Sequence, residues 1–259
     1  MVLSLGLASC GSSKLGKAPA QSVDLGIRVV SGMSLTGVVT TLAIGRADDA
    51  DFMAAHPTAK PLYFATGNLF VDEDSGTGRI GTAAESGSGL NYGLFGWADV
   101  TDTMTSIDKL DYPFDNVAKD ISGNPKYDIA HAKLGEKWRL PTAKEWCFLM
   151  KYAVKGATAD RTRSSNDHEE GQHTLWQSSP AGITLTSSVA GFTENSIFLP
   201  AAGRRSGSNA PNFSGSIGYY WSGAWYGADF SNALYFHTGH WFVYMNERAS
   251  GFSVRPVSE

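Results

Sequence analysis

The sequence predicts an α+β fold, mostly short β-strands and irregular loops with two helices, and three observations carry that reading. Glycine is abundant, at 29 residues, while charged residues make up only 18%, a balance that suits turns and short strands better than a helical bundle. Apolar and polar residues alternate in short runs, as in Leu35-Thr36-Gly37-Val38-Val39-Thr40-Thr41-Leu42, the period of a half-buried strand. Helical signals are concentrated in two places, around residues 127–135 and 142–156.

A hydrophobic fraction of 42% over 259 residues is ample for a core. With 21 basic and 25 acidic residues the formal net charge is -4, which supplies no general attraction to nucleic acid or anionic lipid. No nucleic-acid partner is expected.

The first residues form a short apolar run ending in Leu7-Ala8-Ser9-Cys10, which resembles the lipobox of bacterial lipoprotein signal peptides. The resemblance implies lipidation of Cys10, a membrane attachment through the acyl chains, and an outer-membrane lipoprotein at the cell surface of a bacterium. The run is short and no Lys or Arg precedes it, so the numbering is read as starting inside the signal peptide. Gly11-Ser12-Ser13-Lys14 reads as a flexible tether. The expected organisation is a signal, lipobox and tether over 1–21 and one folded domain over 22–259. Cys147 lies in an apolar helical pattern and is read as a small buried hydrophobe, unpaired with Cys10.

Along the domain, residues 22–46 read as early strands, 48–55 as a short helix or loop, and 62–65 and 68–71 as two strands flanking Thr66-Gly67. Residues 72–89 are rich in Gly, Ser, Thr and acid and read as loop. Residues 99–125, with scattered aromatics and no period, read as an irregular surface insertion. A short helix over 127–132 closes at Gly135. A second begins at Thr142, where Thr142 and Glu145 make a capping box and Trp146, Leu149, Met150 and Ala153 fall at i, i+3, i+4 and i+7, with Gly156 as its stop. The polar stretch 160–191 contains Asn166-Asp167-His168-Glu169-Glu170 and His173. The i, i+5 histidine spacing fits neither a His-Glu-x-x-His zinc helix nor a calcium loop, so this cluster reads as a solvated loop and no metal or cofactor is expected.

Three segments in order resemble one family: Tyr127-Asp128-Ile129-Ala130 leading into Trp138-Arg139-Leu140-Pro141-Thr142 and Glu145-Trp146; Asn195-Ser196-Ile197-Phe198-Leu199-Pro200-Ala201-Ala202-Gly203; and Gly218-Tyr219-Tyr220-Trp221-Ser222 ending in Gly251-Phe252-Ser253-Val254-Arg255-Pro256-Val257. They are similar to bacterial surface proteins of the C-type-lectin fold related to the formylglycine-generating enzyme, a group that includes the variable proteins of diversity-generating retroelements. The resemblance implies a C-type-lectin-like domain with a ligand-binding variable region at about 212–250 and a non-enzymatic role, recognising a protein or glycan ligand. It implies a scaffold set of Trp221, Ser222, Ala233, Leu234, Phe236, Arg248 and 251–257. Between these falls a displayed set: Tyr219, Ala224, Tyr226, Asp229, Phe230, Ser231, Asn232, Tyr235, His237, His240, Phe242, Tyr244, Asn246, Ala249 and Ser250. Every residue type in the displayed set can be reached from an asparagine codon by replacing adenines, whereas Trp225, Trp241, Met245 and Glu247 cannot.

Composition points to the same stretch without the family. Residues 219–246 hold 11 aromatics in 28 positions and one charged residue, Asp229, and aromatic side chains give rigid amphipathic contact at low entropy cost. In the structural terms of the scaffold, Trp138, Trp146 and Trp221 are expected in the core, 252–254 as a final strand, and Arg255 as a tie to a polar group. A fixed adhesin or pilus-tip subunit of the same fold is the alternative. An enzyme of the formylglycine-generating type needs a cysteine pair near the C-terminal end, and no cysteine follows Cys147. The Glu-Pro-Asn and Trp-Asn-Asp triplets of calcium-dependent sugar binding are also missing.

Overall fold

A computed structural model of the chain describes residues 18–34, 38–72, 74–82, 93–100, 120–160, 168–206 and 211–259. Cys10 and the lipobox lie outside the described residues. The architecture is α+β and mostly strand, with three short α-helices among the described residues.

The N-terminal alternation becomes an antiparallel pair, β1 (Ser22–Met33) and β2 (Val39–Arg46). After α1 (Ala50–Ala55), β3 (Lys60–Ala65) returns alongside β1, and the last strand of the chain, β16 (Val257–Ser258), pairs with β3. These four strands form one sheet in the order β16-β3-β1-β2. The loop expected over 72–89 contains a strand: β4 (Leu69–Val71) pairs with β5 (Gly78–Ile80). Gly67 lets this hairpin close, because a Cβ there would sit 1.9 Å from the Gly81 carbonyl oxygen.

Both expected helices form. In α2 (Ile129–Leu134) the Asp128 carboxylate caps the start and Gly135, at φ +90°, ends it. In α3 (Ala143–Phe148) both arms of the Thr142–Glu145 capping box are present, and the helix widens to a π-turn over Leu149–Ala153. Trp146, Leu149, Met150 and Ala153 are fully buried along one stripe.

The second half supplies a five-stranded antiparallel sheet in the order β12-β13-β14-β7-β6, built from β12 (Ile217–Trp225), β13 (Phe230–His237), β14 (His240–Glu247), β7 (Glu169–His173) and β6 (Ala157–Ala159). A three-stranded sheet joins β8 (Trp176–Ser178), β9 (Ala181–Thr186) and β10 (Ser196–Pro200), and a short pair joins β11 (Arg205–Ser206) to β15 (Ser250–Gly251). The main core gathers Leu25, Ile27 and Phe64 of the first sheet, Trp146 of α3, Leu185 and Leu199 of the three-stranded sheet, and Leu234, Phe236, Trp241 and Val243 of the five-stranded sheet. A second core, with Phe95, Trp97, Ile129, Leu140, Phe252 and Val254, covers part of the other face of the five-stranded sheet through Tyr219, Trp221 and Ala233.

Three expectations are corrected. The cluster read as a solvated loop is not one over its second half, since Glu169–His173 form β7. Of the insertion expected over 99–125, residues 101–119 lie outside the described residues, and 121–124 are not surface: Ile121, Ser122 and Asn124 are buried, and the Ile121 N–H donates to the Gly223 carbonyl along the edge of β12. Residues 252–254 are not an alternating strand, since all of 251–258 is buried. Phe252 bridges Phe95, and Ser253 bridges Tyr220, so this segment is packed between layers.

Two buried charges hold these layers in place. The Glu145 carboxylate accepts from both Arg139 guanidinium nitrogens at 2.8 Å, from Thr41 Oγ1 at 2.6 Å and from the Thr142 N–H at 2.9 Å. Burial pushes the Glu145 carboxyl up, but Arg139 and these donors outweigh it and hold it below the usual carboxylate range. Among the described residues Arg255 has no carboxylate partner in its hydrogen bonds. It donates to Asn68 Oδ1 and to the Ala65 and Phe198 carbonyls, joining β3, β10 and the C-terminal segment. Burial lowers its pKa to about 10.

Arg139→Met strands the Glu145 carboxylate in the core and should lower the free energy of unfolding by about 3–5 kcal/mol. Thr41→Val removes one donor of four and should cost about 1 kcal/mol. Urea denaturation of the two variants measures the difference.

Candidate ligand-binding face

Register decides which side chains of the 219–250 stretch can be displayed. Directly opposed residues share a face of the sheet, and neighbours along a strand alternate. The row Gly218, Phe236, Trp241, Gly171 crosses four strands on the inner face. Its two large rings are accommodated because glycine stands at both flanks: a Cβ on Gly218 would lie 2.2 Å from the Phe236 ring, and one on Gly171 would lie 2.6 Å from the Trp241 indole nitrogen. The Trp241 indole N–H crosses β7 to donate to the Thr158 carbonyl of β6 at 3.1 Å.

The outer face carries three parallel rows. In the central row Tyr219, Tyr235, Phe242 and Glu170 are opposed in turn across β12, β13, β14 and β7. Tyr219 and Tyr235 stack at 5.7 Å between ring centroids, and Tyr235 and Phe242 at 4.6 Å with an 11° interplanar angle. On one side His237 and His240 face each other across the two-residue turn, their rings 5.4 Å apart. On the other side the His168 ring lies between Tyr226 and Tyr244, at 4.5 and 4.4 Å. A cavity of about 430 Å³ is lined by His168, Glu169, Glu170, Tyr235, Phe242 and Tyr244. A second, of about 520 Å³, adjoins it over β6 and β7, with Glu170 and Phe242 in both walls.

The expected displayed set divides on this geometry. Tyr226, Tyr235, His237, His240, Phe242, Tyr244 and Asn246 lie on the open part of the outer face, with Tyr226 46% and Tyr244 41% exposed. Asp229 is exposed in the turn before β13 and Ala249 is half-buried after β14. Four residues are corrected to buried. Tyr219 has outer-face parity but is roofed by Phe252, whose ring stacks on it at 4.7 Å. Ser231 lies opposite the half-buried Trp225, Asn232 has the inward parity of Leu234 and Phe236, and Ser250 is enclosed in the β11–β15 pair. Phe230, 37% exposed, and half-buried Ala224 have inner-face parity, so neither joins Tyr244.

The scaffold positions Trp221, Ser222, Ala233, Leu234, Phe236 and Arg248 are buried. Four buried tryptophans fasten the sheet through their indole N–H groups: Trp97 donates to the Ser222 carbonyl, Trp146 to Trp221, Trp221 to Phe95, and Trp241 to Thr158. His168 and Glu170 belong to the face although the sequence reads their segment as solvated loop. The usable signal was Gly171, a glycine marking close approach of a neighbouring side chain within a strand. No cluster of three potential metal ligands occurs among the described residues.

The turn between β13 and β14 is pinned by His173. Its Nδ1 accepts from the Leu175 N–H at 3.2 Å, so Nε2 carries the proton and faces the His237 and His240 carbonyls at 3.0 and 3.1 Å. Comparison with models of protein families, with curated proteins and with solved structures finds no match.

Burial, and to a lesser degree the nearby His237 and His240, lower the His173 pKa below its usual value. A histidine depressed in the folded state contributes its stability above the unfolded pKa of about 6.5 and loses it as pH falls through the folded value. The melting temperature should therefore drop from pH about 7.5 to about 5, and drop less in His173→Gln; thermal melts at the two pH values measure this.

Proposed function

We propose that the protein is a non-enzymatic, surface-displayed ligand-binding protein with a C-type-lectin-like fold, a variable protein of a diversity-generating retroelement. Its ligand is a protein or glycan held on the outer face of the five-stranded sheet. The observation that carries this reading is an open, aromatic half-face on a sheet whose other half is packed on both sides. Tyr226 and Tyr244 stand in solvent, Tyr235 and Phe242 are half-buried, and all but Tyr226, which follows the end of β12, sit on paired strands. Large exposed aromatic area fixed on rigid elements is costly unless a partner covers it.

The division between anchored and open residues also bears on diversification. Trp241, outside the adenine-reachable set, is fully buried, and Trp225 packs against the second core, so both belong with the scaffold. The variable set then contracts to exposed and half-exposed positions around Tyr226, Tyr235, His237, His240, Phe242, Tyr244 and Asn246. Membrane attachment through Cys10 is the proposed means of display.

Replacing Tyr226, Phe242 and Tyr244 together by Ser should abolish ligand capture on intact cells and move the melting temperature little, since none of the three belongs to either core. A large fall in melting temperature would mark them as structural. The coding segment for 212–250 should have a nearby near-identical repeat differing only at adenines, beside a reverse transcriptase gene; sequencing of the locus checks this.

A further inference from the structure

The outer face carries an unanswered positive charge at its β12 end. Gly203 bridges Gly218 of β12, and Arg204 is held beside Tyr219 by two backbone bonds to Asn212, its N–H donating at 2.9 Å and its carbonyl accepting at 2.7 Å. The Arg204 Cζ lies 5.7 Å from the Phe213 ring centroid and 5.9 Å from that of Tyr219, within the range of a cation–π contact. Phe213 takes this place at φ +62°, a backbone conformation that a bulky residue seldom adopts and that persists where the surroundings impose it. Among the described residues the half-buried Arg204 guanidinium makes no hydrogen bond and no ion pair, and its Nε is closed off from water without an acceptor. The Tyr219 hydroxyl likewise has no hydrogen-bond partner among the described residues, and burial raises its phenol against the nearby Arg204 charge. At neutral pH it is therefore a proton donor.

A guanidinium fork presents parallel N–H donors that match the two oxygens of a carboxylate, and a half-buried cation gains more from a counter-charge than a fully solvated one does. We infer that Arg204, with the Tyr219 hydroxyl beside it, takes the carboxylate of an aspartate or glutamate side chain presented by a protein ligand. The inference rests on the ligand-binding reading and narrows it to a partner that sets one acidic residue at the β12 end of the face. A sugar acid carries its carboxylate directly on the ring, and Tyr219, stacked against both Phe252 and Tyr235, has no free face for that ring. An acidic side chain stands off its backbone on a flexible stem, so the rest of the ligand can lie farther along the row, on half-buried Tyr235 and Phe242. A basic or uncharged group would leave the Arg204 charge unanswered.

The test uses N-acetylglutamate amide as a probe of the full chain, with N-acetylglutamine amide and methyl glucuronide as controls, followed by proton NMR of the Arg204 Nε–H and of the Tyr219 and Tyr235 rings. The glutamate probe should shift these resonances and bind about fivefold more tightly than the glutamine probe, and its binding should weaken between about 20 mM and about 500 mM NaCl. Arg204→Gln should remove the preference for glutamate over glutamine, Arg204→Lys should restore part of it, and Tyr219→Phe should reduce it about twofold, with amide spectra showing the fold retained. Equal binding of the glutamine probe, a glutamate preference that survives Arg204→Gln, or tighter binding of methyl glucuronide would overturn the inference, and loss of ligand capture in the triple Ser variant would then leave the ligand-binding reading standing. Ligand capture that survives the triple Ser change would instead overturn the reading on which the inference rests.

Discussion

A carboxylate with no access to water must be surrounded by donors, and Glu145 draws those donors from three places in the chain. Arg139 comes from the segment before the helix, Thr142 from the helix start and Thr41 from β2. Arg139 also reaches Glu259 at 2.6 Å, and its backbone pairs with Val257 in both directions. The N-terminal hairpin, α3 and the C-terminal segment are thus placed around one charge. An ion pair buried this deeply adds little net stability compared with an apolar replacement, but a packing that left one member unpaired would cost about 3–5 kcal/mol. From α3 the constraint passes outward: Trp146 donates its indole proton to the Trp221 carbonyl, and Trp221 lies within the strand that begins the five-stranded sheet.

That sheet has two unequal halves. Over β12 and the near side of β13 both faces are covered, the inner by the main core and the outer by Phe95, Trp97 and Phe252. Over β14 and β7, among the described residues, only the inner face is covered by a core. The outer row Tyr219, Tyr235, Phe242 and Glu170 therefore runs from buried to half-buried without a change of strand type. Stacking holds each ring against the next, so the exposed end of the row inherits the order of the buried end.

What was legible in the sequence was local. The capping box at Thr142 and Glu145, the stripe from Trp146 to Ala153, the stop at Gly135 and the early strands all follow from short-range spacing, which depends only on backbone geometry. What was not legible depends on which strands become neighbours. Tyr219 and Tyr235 are both tyrosines at outward parity, and only the arrival of Phe252 separates the buried one from the half-exposed one. Ser231 and Asn232 are polar and read as surface, yet strand parity and the cover of Trp225 enclose them. His168 and Glu170 reach the face from a polar strand about seventy positions before Phe242 and Tyr244, with no apolar alternation to announce it. Register across distant strands is set by the whole core, so a single stretch of sequence does not encode it.

The unequal halves explain how such a surface can change its side chains without endangering the fold. A substitution at Tyr226, His240 or Tyr244 touches ring contacts at the surface, with His168 or His237, and neither core, so its cost stays near the roughly 0.5 kcal/mol usual for surface changes. A substitution in the row Gly218, Phe236, Trp241, Gly171 has no such freedom, because each ring fills the space that the neighbouring glycine leaves and either a cavity or a clash follows. Ser231 and Asn232 lie between these cases: they belong to the stretch proposed to vary but are limited by volume, so only small or hydrogen-bonding replacements fit. Variation on this scaffold is bounded by the sheet's own geometry. The positions that face solvent and sit beyond the reach of Phe252 are those whose side chains can change while the core remains as it is.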